Sequence, residues 1–278
     1  MASLISKTVV ITGSSRGIGR AAAEACAQAG ATVIISSRKP ENVNRVVAEL
    51  QRSGLPVSGI AANVVQPEEI QRLFDYAIHA CGKIDVWINN AGISGGYRTI
   101  QAMSPEDLKQ VLDINLLGTF NACRILIPYF REEHGIILNM GGRGAKGNAS
   151  PYQAPYAATK AGILSLTRSL AAENKGYPLS INCIMPGMVV TEMYNEVATC
   201  PETQDQMAIM PVLLRAFASP MPDVQRLVVK VCAQEPGKHS GKCYSAEKWT
   251  RYFRALATMP DFMRTGAKIR RAKQNSRT

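Results

Sequence analysis

Two rhythms of apolar and polar positions alternate along this chain. Short runs rich in β-branched residues are followed by longer stretches whose apolar positions return every three or four residues, the signatures of strand and amphipathic helix. The first strand is predicted around Lys7–Thr12, followed by a helix from Arg20 to Ala29 that Gly30 stops. Thr32–Ser36 reads as the second strand, and the helix after it reaches about Arg52. Leu55–Ala62, Ile84–Asn89, Gly135–Asn139, Leu179–Ile184 and Gly241–Ser245 complete the strands. Between them fall helices at Pro67–Cys81, from about Pro105 to Arg131 (whole or broken), Tyr152–Asn174 and Pro222–Ala233. Such alternation predicts an α/β fold, a doubly wound parallel sheet with helices on both faces. Residues 188–222 carry few regular signals and four prolines (Pro201, Pro211, Pro220, Pro222), which predicts a lid or binding loop.

Composition narrows this picture. At 278 residues with 46% hydrophobic and 19% charged positions, the chain is sized for one α/β domain and is not disordered in bulk. No apolar run approaches the roughly 20 residues of a membrane span, and the N-terminus lacks the layout of a signal peptide. A cytoplasmic protein is expected. Seven scattered cysteines form no C-x-x-C pair and read as reduced, and the three histidines have no metal-ligand spacing, so no metal is expected. Of the net charge of +11, residues 246–278 hold +7, from nine Lys/Arg against Glu247 and Asp261. Residues 1–245 are therefore read as the domain and 246–278 as a basic C-terminal extension.

Candidate chemistry falls at the strand ends. Gly13, Gly17 and Gly19 join the first strand to a helix start, where backbone N–H groups and the helix dipole suit a pyrophosphate. A carboxylate at the end of the second strand would hold a ribose 2′-hydroxyl; the chain has Ser36-Ser37-Arg38-Lys39 instead. Arg38, with Arg16 in the glycine loop, suits a 2′-phosphate, so NADP(H) is the expected cofactor. Tyr156 and Lys160 lie four residues apart on one helix face, where the ammonium favours the phenolate and makes Tyr156 a usable proton donor and acceptor.

Thr12-Gly-Ser-Ser-Arg-Gly-Ile-Gly19, Asn89-Asn-Ala-Gly92, Asn115, Tyr156-x-x-x-Lys160 and Pro186-Gly187-x-x-x-Thr191 together resemble the short-chain dehydrogenase/reductase family, over about residues 4–245. The resemblance implies a Rossmann sheet of about seven strands, in dimers or tetramers. It implies Tyr156 as general acid in carbonyl reduction, Lys160 on the nicotinamide ribose, and Asn115 anchoring a relay water. Thr12, Gly13, Ser15, Arg16, Gly17, Ile18 and Gly19 would cradle the cofactor. Asn90, Ala91 and Gly92 would line its adenosine side, with Asn63-Val64 near the adenine and Pro186, Gly187, Val189 and Thr191 near the nicotinamide.

One position departs from the family. After the fifth strand the family has Asn-x-Ser-Ser, and this chain has Asn139-Met140-Gly141-Gly142. Counting from Asn139 puts Gly142 at the serine; counting back from Tyr156 puts Arg143 there. Loss of one oxyanion donor typically costs ~100–1000-fold in turnover. Arg143 could donate instead, Ser94, Ser150, Tyr152 or the substrate could supply a hydroxyl, or the site could have left redox chemistry.

The expected function is an NADP(H)-dependent oxidoreductase interconverting a carbonyl and an alcohol on a mainly apolar small molecule; the alternative is a cofactor-binding protein without reductase activity. Met188, Met193, Met207, Met210, Met221, Tyr194 and Phe217 could line an adaptable apolar pocket or simply pack the lid. The extension, with Trp249, Tyr252 and Phe253 among its cations, reads as a solvated segment or one packed on a sister subunit. Nucleic-acid binding is not expected.

Overall fold

The computed structural model describes residues 2–192, 197–247 and 250–275, without the side chains at 250–253, 266 and 268–275. Met193, Tyr194, Lys248, Trp249 and Arg277, and the side chains of Arg251, Tyr252, Phe253, Lys268, Arg270, Arg271 and Lys273, lie outside the described residues.

Seven parallel strands form one sheet. They are β1 (Thr8–Thr12), β2 (Thr32–Ser36), β3 (Val57–Gly59), β4 (Val86–Asn89), β5 (Gly135–Met140), β6 (Leu179–Met185) and β7 (Cys243–Ser245), in the spatial order β3-β2-β1-β4-β5-β6-β7. Successive residues point to opposite faces, so each strand feeds two cores. Val9 and Ile11 of β1 join one core and Val10 the other. Helices α1 (Gly17–Gln28), α2 (Pro40–Arg52) and α8 (Met221–Cys232) cover the first face. On the second face lie α3 (Pro67–Cys81), α5 (Gly118–Glu132) and α6 (Ala154–Glu173). Both faces being covered, the central strands are buried end to end and read as unbroken apolar runs.

The chain switches direction of winding between β1 and β4. All the site motifs lie beyond the carboxyl ends of the strands around that switch, the crevice where open α/β sheets bind ligands.

Three elements add to or differ from the sequence expectation. The helix predicted over 105–131 is α4 (Pro105–Leu112), a π-helical turn (Asp113–Leu117) and α5 in one continuous run. By length and composition Pro105–Glu132 could cross a bilayer, with a mean hydropathy of 1.2. It also carries Asn115, Thr119 and Asn121, buried and hydrogen-bonded inside the protein, which marks it as a core helix. Second, the stretch expected to be irregular contains α7 (Gln204–Phe217), with Pro211 inside it.

Third, the basic extension is α9 (Thr250–Asn275), packed on α7 of its own chain. Arg254 donates to the Ala218 carbonyl at 2.9 Å, and Arg215 pairs with Asp261 at 2.9 Å. A charged segment with high helix propensity needs only one partner helix to hold it.

Candidate active site

The glycine loop is fixed by contacts that exclude side chains. Gly13 has φ +63°, and a Cβ there would lie 2.7 Å from the Ala91 Cα. A Cβ on Gly19 would run into the Asn90 amide and the Gly13 carbonyl. The Asn90 amide donates to Thr12 O (2.9 Å) and Gly13 O (3.0 Å), while the Thr12 hydroxyl accepts from Asn90 N and Ala91 N. The turn after β4 therefore holds the loop after β1, and Asn90 and Thr12 act by shaping it. Arg16 is the N-cap of α1, exposed and making no side-chain cap bond, and the first turn has no acid. Ser15 is buried and Ile18 packs against the core. Thr191 approaches within 3.6 Å of a Cβ position on Gly17, so the loop after β6 arches over this helix end.

At the end of β2, Ser14 is an organiser that motif reading missed. Its hydroxyl donates to Ile11 O at 2.7 Å and accepts from Ser36 N at 2.9 Å, pinning the glycine loop to β2. Next comes Ser37, whose buried Oγ is without a hydrogen-bond partner among the described residues, and then the exposed Arg38. An orphaned hydroxyl beside a guanidinium and an open helix N-terminus fits a phosphorylated ligand. Asn63 and Val64 stand nearby in the chain's path. Asn63 Oδ1 accepts from Val65 N at 3.3 Å, and Val64 packs on Gly118 and takes the Asn121 amide at 3.0 Å.

Tyr156 and Lys160 sit in the first turns of α6. The Lys160 Nζ donates to Met140 O at 2.8 Å and lies 5.6 Å from the centre of the Tyr156 ring. Burial lowers the Lys160 pKa from its ordinary 10.5 to about 8. In the ligand-free protein the ammonium is therefore lost as pH rises through about 8. Cofactor affinity, measured by fluorescence titration, is expected to fall on the alkaline side of that pH, with the break absent in Lys160→Met. Between about 8 and 10.5 the unfolded chain binds more protons at this lysine than the folded one, so its contribution to stability rises with pH while affinity falls.

Asn115 lies in the π-helical turn, fully buried. Its amide donates to Ile93 O (2.9 Å) and Thr159 Oγ1 (3.1 Å), and its Oδ1 accepts from Ile93 N (2.8 Å). The side chain thus straps the Asn90-Ala91-Gly92 turn to α6, and its own carbonyl accepts from Thr119 at 3.0 Å. Below it runs a buried chain: Trp87 Nε1 to Asn89 (2.9 Å), Asn89 to Asn139 (2.9 Å) and Asn139 to Thr167 (3.0 Å). It ties β4, β5 and α6 together, and no spacing rule would have paired residues so far apart.

The loop after β5 settles which residue faces the tyrosine. A Cβ on Gly142 would run into the Tyr156 hydroxyl, so Gly142 is the residue beside it. Arg143 is exposed and hydrogen-bonds Tyr97, a buried phenol whose pKa burial raises and Arg143 draws down. Among the other hydroxyls, Ser94 accepts from Gly96 N at 3.2 Å. Tyr152 has the left-handed φ of +63°, with its carbonyl on Arg98 N. The Ser150 Oγ is buried without a partner among the described residues, 3.3 Å from a Cβ position on Gly144.

After β6, Pro186 and Val189 are buried, and Gly187 lies against Ser219 and Glu247. Of the lid methionines, Met210 is buried, Met188 and Met207 are half-buried, and Met221 packs against the core.

A family model for short chain dehydrogenases matches residues 7–201. This chain belongs to the short-chain dehydrogenase/reductase family. The chain is 32% identical to 3-oxoacyl-(acyl-carrier-protein) reductase of Thermotoga maritima over 240 residues, covering 85% of this chain and 94% of that one. It is 33% identical over 228 residues to the chloroplast protein of Arabidopsis thaliana described as probable chlorophyll(ide) b reductase, covering 71% of this chain and 46% of the relative. The chain thus spans less than half the length of that relative. Among solved structures, 3-ketoacyl-(acyl-carrier-protein) reductase of Brucella melitensis in complex with NADH superposes with a TM-score of 0.78, at 24% identity, covering 91% and 100% of the two chains. Actinorhodin polyketide ketoreductase with NADPH gives 0.76, also at 24% identity, covering 88% and 97%. Both superpositions show a shared fold.

Proposed function

We propose that the dehydrogenase is an NADP(H)-dependent carbonyl reductase, or alcohol dehydrogenase in reverse, acting on a mainly apolar small molecule. The observation that carries this is Tyr156 beside a buried Lys160 on α6, together with a glycine loop pinned to β2, whose end offers Arg38 and an orphaned Ser37 hydroxyl. When bound, the dinucleotide supplies or accepts the hydride. The chain's own residues do the rest. The α1 N-terminus and the 13–19 loop hold the pyrophosphate. Arg38 and Ser37 take the ribose 2′-phosphate, and Lys160 holds ribose hydroxyls and favours the phenolate that proton transfer leaves on Tyr156. Tyr156 Oη donates its proton to the carbonyl oxygen as that oxygen gains charge. Asn115 positions α6, and a relay water would rest on its backbone carbonyl. Relatives named as reductases support the reducing direction, and the half-buried Met188, Met207 and Phe217 support an apolar substrate.

NADPH oxidation against a panel of ketones and aldehydes tests the reading. Turnover on one member supports it; tight NADPH binding without turnover on any substrate sinks it in favour of a non-redox role. The observation that favours that second reading is Gly142, which brings no hydroxyl to the substrate oxygen.

The cofactor choice is separately testable. Arg38→Glu is expected to weaken NADPH binding about 10–100-fold, the loss of a charge-assisted contact, and to leave NADH binding within a few fold. Equal losses for both cofactors would count against a 2′-phosphate contact. We also infer a homo-oligomer, because Leu112, Leu117 and Phe120 are each more than 40% exposed along the α4–α5 run. Sedimentation at micromolar concentration is expected to show a dimer or tetramer that Phe120→Glu shifts towards monomer; a monomeric wild-type protein would refute it.

A further inference from the structure

Two of the seven free cysteines stand side by side across the last pair of strands. Cys183 and Cys243 are register partners in the parallel β6–β7 pair and share one small apolar cluster with Leu164 of α6. Adjacent strands lie about 4.8 Å apart, inside the Cα–Cα range of about 4.4–6.8 Å that a disulfide spans. The strand that would adjust is β7, three residues long at the sheet edge.

Their surroundings are unequal. Cys183 is fully buried, and its sulfur lies 2.9 Å from a Cβ position on Gly141. The neighbouring thiol and burial push it well above the ordinary thiol range, so it stays protonated. Cys243 is only half-buried. The neighbouring Cys183 thiol and the positive charges of Lys146 and Arg168 favour its thiolate. An accessible thiolate facing cations, with a second thiol in contact, is the arrangement that reacts with hydroperoxides and then resolves to a disulfide. Cys26 and Cys232 show the contrast. Both are buried, and the Cys26 thiol is pushed up by its partner and by burial, with no cation acting on it.

We propose that Cys243 and Cys183 form a peroxide-oxidised pair, with Cys243 the attacking and Cys183 the resolving residue. The Cys243 thiolate attacks one oxygen of hydrogen peroxide, breaking the O–O bond and releasing hydroxide, which takes a proton to become water. The Cys183 sulfur then attacks the resulting sulfenic sulfur, giving up its proton as the S–O bond breaks and a second water leaves. Two electrons pass from the thiols to the peroxide. The new bond lies beside the reaction machinery: Cys183 touches Gly141, whose neighbour Met140 seats Lys160 with its carbonyl. Beyond β7, Ala246 N donates to Met185 O at 3.0 Å, and Glu247 packs against Gly187. Oxidation therefore reaches both Lys160 and the loop after β6.

The experiment is peroxide treatment of the full-length protein, followed by intact mass, peptide mapping and NADPH titration. The expected result is a mass loss of about 2 Da, for two hydrogens removed, and one crosslinked peptide joining Cys183 to Cys243. NADPH affinity should fall at least about tenfold, with recovery after dithiothreitol. Cys243→Ser should bind NADPH normally and resist peroxide. In Cys183→Ala, Cys243 should stop at a sulfenic acid that dimedone traps. A crosslink between other cysteines, a Cys243 sulfinic acid with Cys183 still reduced, or equal peroxide sensitivity in Cys243→Ser would overturn the proposal. So would a disulfide form with unchanged affinity, for the link to Lys160. The mass readouts do not depend on the reductase reading, so failure of one is distinguishable from failure of the other.

Discussion

Tyr156→Phe is expected to lower turnover about 1000-fold, within the range of roughly 100- to 10,000-fold that a positioned general acid contributes, while NADPH affinity changes less than about threefold. The phenylalanine ring fills the same space on α6 and keeps its place beside the Lys160 side chain, so packing is preserved and the proton alone is lost. With Gly142 beside the hydroxyl, no side-chain donor from that position can take over. Single-turnover kinetics with saturating NADPH would separate the chemical step from binding. A loss of less than tenfold would assign the proton to another group and remove the central element of the mechanism.

Gly142→Ala is expected to cost about 100-fold in turnover, although it adds only a methyl group. The new Cβ would clash with the Tyr156 hydroxyl and come within 3.2 Å of the Lys160 Cγ. The phenol must move, and a displacement of about 1 Å at a reacting group can cost on the order of 100-fold. Cofactor affinity should change much less, because the contacts of the 13–19 loop and Arg38 lie elsewhere. Wild-type turnover in this variant would mean that the hydroxyl does not work from the place it occupies here.

The sheet was readable because a parallel strand covered on both faces shows as an uninterrupted apolar run, as at Val9-Val10-Ile11 and Ile136-Ile137-Leu138. The glycine loop was readable because backbone contact with Ala91 and Asn90 leaves no room for side chains. Helix α7 was hidden by Pro211 and the prolines flanking it; packing against α9 outweighs that local penalty. The π-helical turn at Asp113–Leu117 widens a helix without changing its apolar pattern, so periodicity could not mark it. Partners distant in sequence were equally invisible. Ser14 reaches Ser36, Asn139 reaches Asn89 and Arg143 reaches Tyr97 only once the strands are in register. Whether Gly142 or Arg143 faces the tyrosine depended on the path of the loop after β5, which no count along the chain contains.

The strand order also governs how this chain comes off the ribosome. β1 pairs with β2 early, but its other edge waits for β4, and the bond from Thr8 N to Asp85 that accompanies that pairing spans 77 residues. Until β4 emerges, the apolar strand β1 presents an unpaired edge to its surroundings. Later pairings are crossovers too, so no hairpin can nucleate the sheet and closure is slow. Folding yield, more than final stability, is where a substitution in β1 or β4 would be felt first, as aggregation during synthesis.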